Sequence, residues 1–360
     1  MKNKTIRLIG KDKCTSCGLC MNICPSSCIK MIRDEYDNLY PFIDENKCVK
    51  CSKCFEICPS NNVNKFNSPK KLYCGYAIDK NKRENAASGG IASALYELYL
   101  RNNGVIAGVK MDEKFNAKFM ISNKKNEFSN SKYVYSFIDE LYSDEFINYV
   151  KSGVPILIIG LPCQISALKK FYNTDKNILF VDILCHGVGS DIYFKQHMNN
   201  ISNSKKIDNI CFRDRRLKKD FMMTLDSNKK IIYKKGPYSF DYYQFGYHKA
   251  LYYRENCYKC IYAQNARVGD ITIGDYFTYG LLDGKKKINP RISMVLSNTE
   301  KGEKILKRLQ SDKIAYLEDR PIKEALKYID QLNQPSKKYK TRKVFLEEYK
   351  KNKNFEEGAR

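Results

Sequence analysis

The order of apolar and polar residues is clearest in the middle of the chain. In VPILIIGLPCQISALKKF an apolar run from Val154 to Leu161 closes on the turn Gly160-Leu161-Pro162 and gives way to a helical pattern from Cys163. A run of that length ending in a turn predicts a buried strand, then a helix. NILFVDILCHGVGS predicts a second apolar strand, ending at Cys185, His186 and Gly187. Strand, helix and strand in this order predict a right-handed βαβ unit with parallel strands. Cys163 and Cys185 then both fall at carboxyl ends of strands, where open α/β sheets place ligands. Cys163 also falls at a helix N-terminus, which favours a lowered thiol pKa.

Elsewhere the pattern is shorter in range. IKMIRDEYDNLYPFID alternates around Asp37-Asn38 and predicts a hairpin. YCGYAIDKNKRENAASGGIASALYELYL predicts a strand ending near Ile78, a polar stretch, and a helix from about Ile91 to Leu100. Ser88 is a good N-cap for that helix, and Gly89 and Gly90 beside it let a bound group approach the backbone. Free N–H groups at a helix start bind phosphate; a plain capped helix explains the spacing as well. The stretch is not G-x-G-x-x-G, so a Rossmann nucleotide site is not supported. GDITIGDYF predicts a strand ending at Asp275, followed by a strand around Arg291 to Ser297 and a helix from about Glu300 to Gln310.

Composition narrows the setting. The 360 residues carry a formal charge of +24, with lysines spread along the chain among Asn, Ile and Tyr. Scattered lysines predict a generic solvated surface and no nucleic-acid partner; the basic segment from Lys337 has acidic residues inside it and predicts a terminal helix. No apolar run approaches the roughly 20 residues that span a bilayer. MKNKTIRLIG starts basic but lacks an apolar export region. With 15 cysteines clustered as C-x-x-C and no export signal, the expectation is metal ligation in a reducing cytoplasm.

Eight of those cysteines form one phrase written twice. CTSCGLCMNIC before Pro25 supplies Cys14, Cys17, Cys20 and Cys24; CVKCSKCFEIC before Pro59 supplies Cys48, Cys51, Cys54 and Cys58. C-x2-C-x2-C-x3-C-P is the spacing of bacterial two-cluster ferredoxins, in which the fourth cysteine ligates the other cluster. One 4Fe–4S cluster is therefore assigned to Cys14, Cys17, Cys20 and Cys58, the second to Cys48, Cys51, Cys54 and Cys24. Zinc motifs usually carry two ligands per knuckle, which disfavours two zinc sites. Cys28 is left over and is read as packing, as are Cys74 and Cys211.

Four more cysteines can meet: Cys163, Cys185, and Cys257 and Cys260 of RENCYKCIY. Four thiolates suffice for a third cubane. A Cys257–Cys260 redox pair, a zinc knuckle, and a nucleophilic Cys163 with His186 as base are the alternatives. His197 and His248 carry no motif and are read as surface or structural. No catalytic acid or base is identified.

ASGGIASAL, GLPCQISALKKF, VDILCHGV, CFRDRR, CYKC and DITIGDY follow one another in an order that resembles the coenzyme F420 hydrogenase/dehydrogenase beta-subunit family. The resemblance runs from about residue 1 to 310 and implies FAD, with Ser88, Gly89 and Gly90 near its pyrophosphate. It implies that Cys163, Cys185, Cys257 and Cys260 hold the third cluster, and that Arg213, Arg215 and Asp275 line the flavin pocket. At the aromatic position after the last Gly-Asp motif this chain has Tyr276-Phe277. The substrate is not transferred by the resemblance.

The expected fold is an α+β ferredoxin module (1–64) followed by an α/β domain with a mixed, partly parallel sheet. Its segments are a linker (65–72), a family N-terminal-like region (73–150), a C-terminal-like region (151–330) and a basic, helical tail (331–360). The expected activity is an FAD-dependent iron–sulfur oxidoreductase, taking electrons from a ferredoxin-like donor to a small organic acceptor. The rival expectation is a non-catalytic relay subunit of a larger complex.

Overall fold

The computed structural model describes residues 4–124, 128, 135–172, 176–217, 221–284 and 292–360, the side chain of Arg215 excepted. In the first sixty residues, strands β1 (Ile29–Arg33) and β2 (Leu39–Ile43) pair antiparallel, Ile29 opposite Ile43. Asp37 turns the hairpin at φ 57°, a left-handed conformation that Asp and Asn tolerate. Two single-turn helices, Leu19–Asn22 and Lys53–Glu56, lie within the two cysteine phrases and carry Cys20 and Cys54. Ile6, Ile29 and Ile43 pack among Cys20, Cys28, Cys54 and Cys58, so this small core is as much sulfur as hydrocarbon.

The remaining chain builds a mixed eight-stranded sheet. Its strands are β3 (Lys71–Ala77), β4 (Val105–Met111), β5 (Ala117–Ser122), β6 (Ile156–Gly160) and β7 (Ile178–Ile183), then β11 (Ile271–Asp275), β12 (Ser293–Ser297) and β13 (Ala315–Arg320). Between them β8 (Asn209–Cys211), β9 (Met223–Ser227) and β10 (Lys230–Lys235) form a separate antiparallel sheet. The large sheet runs β13-β3-β12-β11-β7-β6-β4-β5. β4, β6, β7 and β11 are mutually parallel, and β12 is antiparallel to both β11 and β3. The expected βαβ unit is present: β6, helix Pro162–Phe171, and β7 parallel to β6 with Ile158 beside Phe180. The second strand ends at Ile183, two residues before Cys185.

Period-two alternation explains the layering. Leu157, Leu179 and Val181 face helices Ile91–Arg101 and Glu300–Ser311 through Leu95, Leu98, Leu306 and Leu309. Ile156, Ile158, Ile178 and Phe180 face the other way, onto Ile165 and Leu168 of helix Pro162–Phe171. Each fully buried Leu or Ile of this kind contributes about 1.5–3 kcal/mol. Leu19 and Cys17 of the ferredoxin module join that second layer, which seats the module on the sheet.

The C-terminal segment is more than a solvated tail. Phe345 and Tyr349 of helix Arg342–Asn352, and Phe355 of helix Phe355–Ala359, are buried against Tyr193 and Tyr252. The Tyr349 hydroxyl donates to Asp37 of the hairpin at 2.7 Å, and Lys353 Nζ to the Glu35 carbonyl at 2.7 Å. This strap and the Arg33–Asp191 ion pair (2.9 Å) hold the ferredoxin hairpin to the larger domain. Among the described residues no helix is long and apolar enough to cross a membrane.

Candidate functional site

The two cysteine phrases fold by the same local rule. Left-handed residues recur at equivalent places: Ser16 and Lys50 inside the first C-x-x-C of each unit, Gly18 and Ser52 just after the second cysteine. They curl each loop so that three thiols face inward. Gly18 is also required sterically, because a Cβ there would meet the Phe137 ring at 2.7 Å. Cys14, Cys17, Cys20 and Cys58 are all buried, and the field of each of Cys14, Cys17 and Cys58 reaches Cys20. Cys54 feels Cys24 and Cys51, and Cys28 feels Cys48. By these neighbours we term the thiols an inner set (14, 17, 20, 58) and an outer set (24, 48, 51, 54). The outer set is the wetter: Cys51 is exposed and Cys24 and Cys48 half-buried. Cys28 packs in the module core, but its sulfur also lies 3.3 Å from that of Cys24.

A third group assembles at the carboxyl ends of β6 and β7. Cys163 and Cys185, together with Cys257 and Cys260, line one cavity, and none is in a disulfide. Burial pushes the Cys163 thiol well up, and Cys260, Cys185 and Cys257 push it further. The helix-start effect expected to lower Cys163 is outweighed by burial and by three neighbouring thiols. Burial likewise raises Cys257, to about 11. Four crowded thiols of this kind lose their protons together only around a strongly cationic centre, which suits an iron–sulfur core. Among the described residues no group of three or more His, Cys, Asp or Glu has the geometry for a single metal ion.

Buried groups that sequence reasoning missed surround this cavity. Asp182 of β7 accepts from Arg267 at 2.7 Å, from Thr272 at 2.8 Å and from the Gly269 N–H at 2.7 Å. Tyr135 and Tyr262 fill the space toward the inner set: both feel Cys17 and Cys163. The Tyr135 hydroxyl donates to the Ser16 carbonyl at 2.9 Å, and the Tyr142 hydroxyl to that of Cys17 at 3.2 Å. For Tyr262 the sequence signal is its closeness to the C-x-x-C motif; Tyr135, Tyr142 and Asp182 carry no motif that marks them as partners of the cysteines.

The glycine turn differs from expectation. Gly90, at φ 84°, caps helix Ile91–Arg101; Ser88 does not. The Ser88 hydroxyl donates to the Ile292 carbonyl at 2.5 Å, and the Gly89 N–H to Ser293 Oγ at 3.0 Å. A Cβ on Gly89 would lie 2.3 Å from the Gly75 carbonyl, so that space is filled by the protein's own backbone. Ser88 and Gly89 are therefore committed to β3 and β12. Gly90 is buried as well, and a Cβ on it would meet Ala77 Cβ at 3.2 Å and the Lys82 carbonyl at 3.4 Å.

Next along the same edge, Arg213 Nη1 holds both carboxylate oxygens of Asp275 at 2.8 Å, and its guanidinium lies 4.6 Å from the Phe221 ring centre. The two motif residues are brought together, as a pair; the side chain of Arg215 lies outside the described residues. Asp275 is in register with Ser293, the residue that holds Gly89. Glycine turn, ion pair and cysteine group thus follow one another along one edge. His186 is exposed, with Nδ1 2.8 Å from Gln331 Nε2. His197 is buried between Asp241 and Glu356, a structural role.

Residues 13–62 match the model of the 4Fe–4S dicluster domain. Residues 155–323 match the model of the C terminus of the coenzyme F420 hydrogenase/dehydrogenase beta subunit. No curated protein matches the chain. Among solved structures, a chain of the F420-reducing NiFe hydrogenase complex from Methanosarcina barkeri, studied by xenon derivatization, is similar at 17% identity and a TM-score of 0.48. The alignment covers 81% of this chain and 91% of that one. Residues 155–323 are thus similar to the C-terminal domain of the coenzyme F420 hydrogenase/dehydrogenase beta subunit, and residues 13–62, in front of them, to a 4Fe–4S dicluster domain.

Proposed function

We propose that the chain is an iron–sulfur flavoprotein oxidoreductase that takes electrons from a ferredoxin-like donor and delivers them to a small organic acceptor. One observation carries this reading: the three thiol groups succeed one another inward, from exposed Cys51, through the inner set, to the cavity at the sheet edge. Cys54 lies near Cys20, and Cys17 near Cys163, so no group is isolated.

Cys14, Cys17, Cys20 and Cys58 would hold one 4Fe–4S cluster, Cys24, Cys48, Cys51 and Cys54 a second, and Cys163, Cys185, Cys257 and Cys260 a third. Bound clusters supply one-electron transfer, and bound FAD would supply the exchange between one- and two-electron chemistry. The chain's own residues do the rest. Lys47, Lys50 and Lys53 stand close to exposed Cys51 in the sequence and add positive charge there, which favours an acidic donor. Tyr135 and Tyr262 close the space between inner set and cavity against water. The first turn of helix Ile91–Arg101 offers N–H groups to a pyrophosphate, while Arg213 and Asp275 border the same edge.

The test is anaerobic purification with iron, sulfide and flavin analysis. The expected result is about twelve iron atoms per chain, with FAD released on denaturation. Zinc in place of iron, or a colourless protein, would remove the proposal; release of FMN or of no flavin would remove its flavin part.

The matched family is defined by a beta subunit, which favours a second reading, a relay subunit whose partner does the chemistry. Turnover of the isolated chain with an artificial reductant and candidate acceptors separates the two: activity supports the enzyme, and activity only on adding a partner supports the relay.

A further inference from the structure

Two arginines are buried beside the sheet-edge cysteines, each 2% exposed. Arg267 is neutralised by Asp182. Arg254, among the described residues, is paired with no carboxylate. Its guanidinium donates to Ser16 Oγ, to the Leu39 carbonyl at 3.0 Å and to Asn256 Oδ1 at 3.4 Å. Its carbon lies 4.9 Å from the ring centre of Tyr40 and 5.5 Å from that of Tyr135. Such partners satisfy N–H groups and polarise toward the cation, but none carries the opposite charge. A buried cation without a counter-charge is expensive, and arginine cannot escape by losing its proton. The fold therefore places a positive charge where the polypeptide alone does not compensate it.

Its position says what would. Ser16 lies in the loop between Cys14 and Cys17, so Arg254 grips the inner set. Arg254 also lines the cavity of Cys163, Cys185, Cys257 and Cys260, and stands three residues before Cys257. Its field acts on Cys14 on one side and on Cys257 on the other. Four thiolates around a 4Fe–4S core leave a net negative charge, and each added electron increases it. On the cluster assignment proposed above, on which this inference rests, Arg254 is flanked by two anionic clusters. We infer that Arg254 is the shared counter-charge of the inner-set and sheet-edge clusters, stabilising an added electron on either and so raising both reduction potentials. The outer set lies beyond the inner one, where the interaction is weaker. Arg254 is a positioning residue in this role: it handles no substrate and sets the energy level at which two neighbouring centres exchange an electron.

The experiment is a potentiometric titration of the whole reconstituted protein, followed by electron paramagnetic resonance. Wild type, Arg254→Met and Arg254→Lys are compared after iron analysis. Methionine keeps much of the volume and removes the charge; lysine keeps the charge and loses the fork of hydrogen bonds. For Arg254→Met with full iron, two of three one-electron equilibria should shift at least tenfold toward the oxidised form, which is 59 mV each. The third should move less than twofold. Arg254→Lys should keep all three within about threefold of wild type, because charge and not hydrogen bonding is what acts. Unchanged equilibria in iron-replete Arg254→Met would overturn the inference, and so would a tenfold shift in Arg254→Lys. Should Arg254→Met lose iron, the lysine variant decides alone by the same limits. A wild-type protein with fewer than about twelve irons would instead fail the cluster assignment itself, before any variant is compared.

Discussion

The ferredoxin module and the sheet edge solve one chemical problem in opposite ways. In the module, the ligands of two clusters come from one short stretch, and left-handed residues at equivalent places curl each loop around its thiols. At the sheet edge, four thiols come from three separate parts of the chain: the parallel pairing of β6 and β7 sets Cys163 beside Cys185, and the Arg254 N–H, donating to the Val188 carbonyl at 2.8 Å, seats the segment of Cys257 and Cys260 against them. A loop that wraps its own ligands needs only local geometry. A site assembled by a sheet needs its strands in register, and burial with the neighbouring thiols holds the Cys163 pKa up there. The curl of the module's loops is therefore a local matter, although Cys17 and Leu19 also pack on the sheet, whereas the grouping of the thiols at the edge depends wholly on the α/β core.

The strongest way to break the comparison is to remove one ligand from each region. Cys163→Ser should lower the iron content by about four atoms per chain and leave the module's signals in place. Cys20→Ser should remove a cluster of the module and spare the sheet-edge centre. Cys28→Ser, although its sulfur lies 3.3 Å from Cys24, should leave the iron count untouched. Iron and sulfide analysis of anaerobically reconstituted protein decides all three, and an undiminished count in Cys163→Ser would sink the sheet-edge cluster.

Next in size is the glycine turn. A methyl group on Gly89 would lie 2.3 Å from the Gly75 carbonyl and 2.7 Å from the Ser293 nitrogen. Overpacking against backbone costs about 1–3 kcal/mol, so Gly89→Ala should lower the unfolding midpoint clearly. Ser88→Ala, which loses one hydrogen bond to Ile292, should cost about 1 kcal/mol. Both losses should appear without added flavin. A Gly89→Ala protein of normal stability but weakened flavin binding would show that this glycine serves the ligand and not the sheet.

A third test concerns the clasp beneath the C-terminal strap. Burial alone would lower His197, but hydrogen bonds to Asp241 and Glu356 raise it to about 9, above its ordinary 6.5. A group held above its unfolded value adds stability that is complete below about pH 6.5 and drains away as pH rises through 9. Glu356→Gln should therefore cost about 1.5–3 kcal/mol near pH 6, and the gap to wild type should narrow by pH 10. Chemical denaturation at the two values checks the sign; a gap that widens with pH would refute the clasp.

What the sequence disclosed follows the same division. The dicluster spacing is legible residue by residue, because loop ligands carry their geometry in their spacing. β6, helix Pro162–Phe171 and β7 are legible because buried parallel strands are continuous apolar runs. The aromatic strap is not: Phe345, Tyr349 and Phe355 sit in a lysine-rich segment whose composition hides a buried face. Nor is the hydrogen bond from Arg254 to Ser16, since a contact across more than two hundred residues leaves no periodic trace. Residue type favours Ser88 as the helix cap, yet the helix begins at Ile91 and Gly90 holds the cap position, while the Ser88 hydroxyl, two residues earlier, donates to the Ile292 carbonyl.

The smallest effect is expected at the surface, where the two regions differ in access. Cys51 is exposed, with Lys47, Lys50 and Lys53 close by in the chain, whereas Tyr135, Tyr262 and Arg254 seal the inner approach. A donor that enters at the module should feel those lysines through encounter and not through tight binding. A single rim charge alters association rate modestly, and salt screens it over about 8–10 Å. Lys50→Glu should thus slow reduction by an acidic ferredoxin about two- to fivefold at low ionic strength, and the difference should fade in high salt. Lys205→Glu, an exposed lysine in the loop before β8, should change little at either ionic strength. Stopped-flow reduction of the clusters measures both. Equal slowing by the two variants would mean that the overall charge of the chain steers the donor. Slowing at position 50 alone places its entry at the outer set.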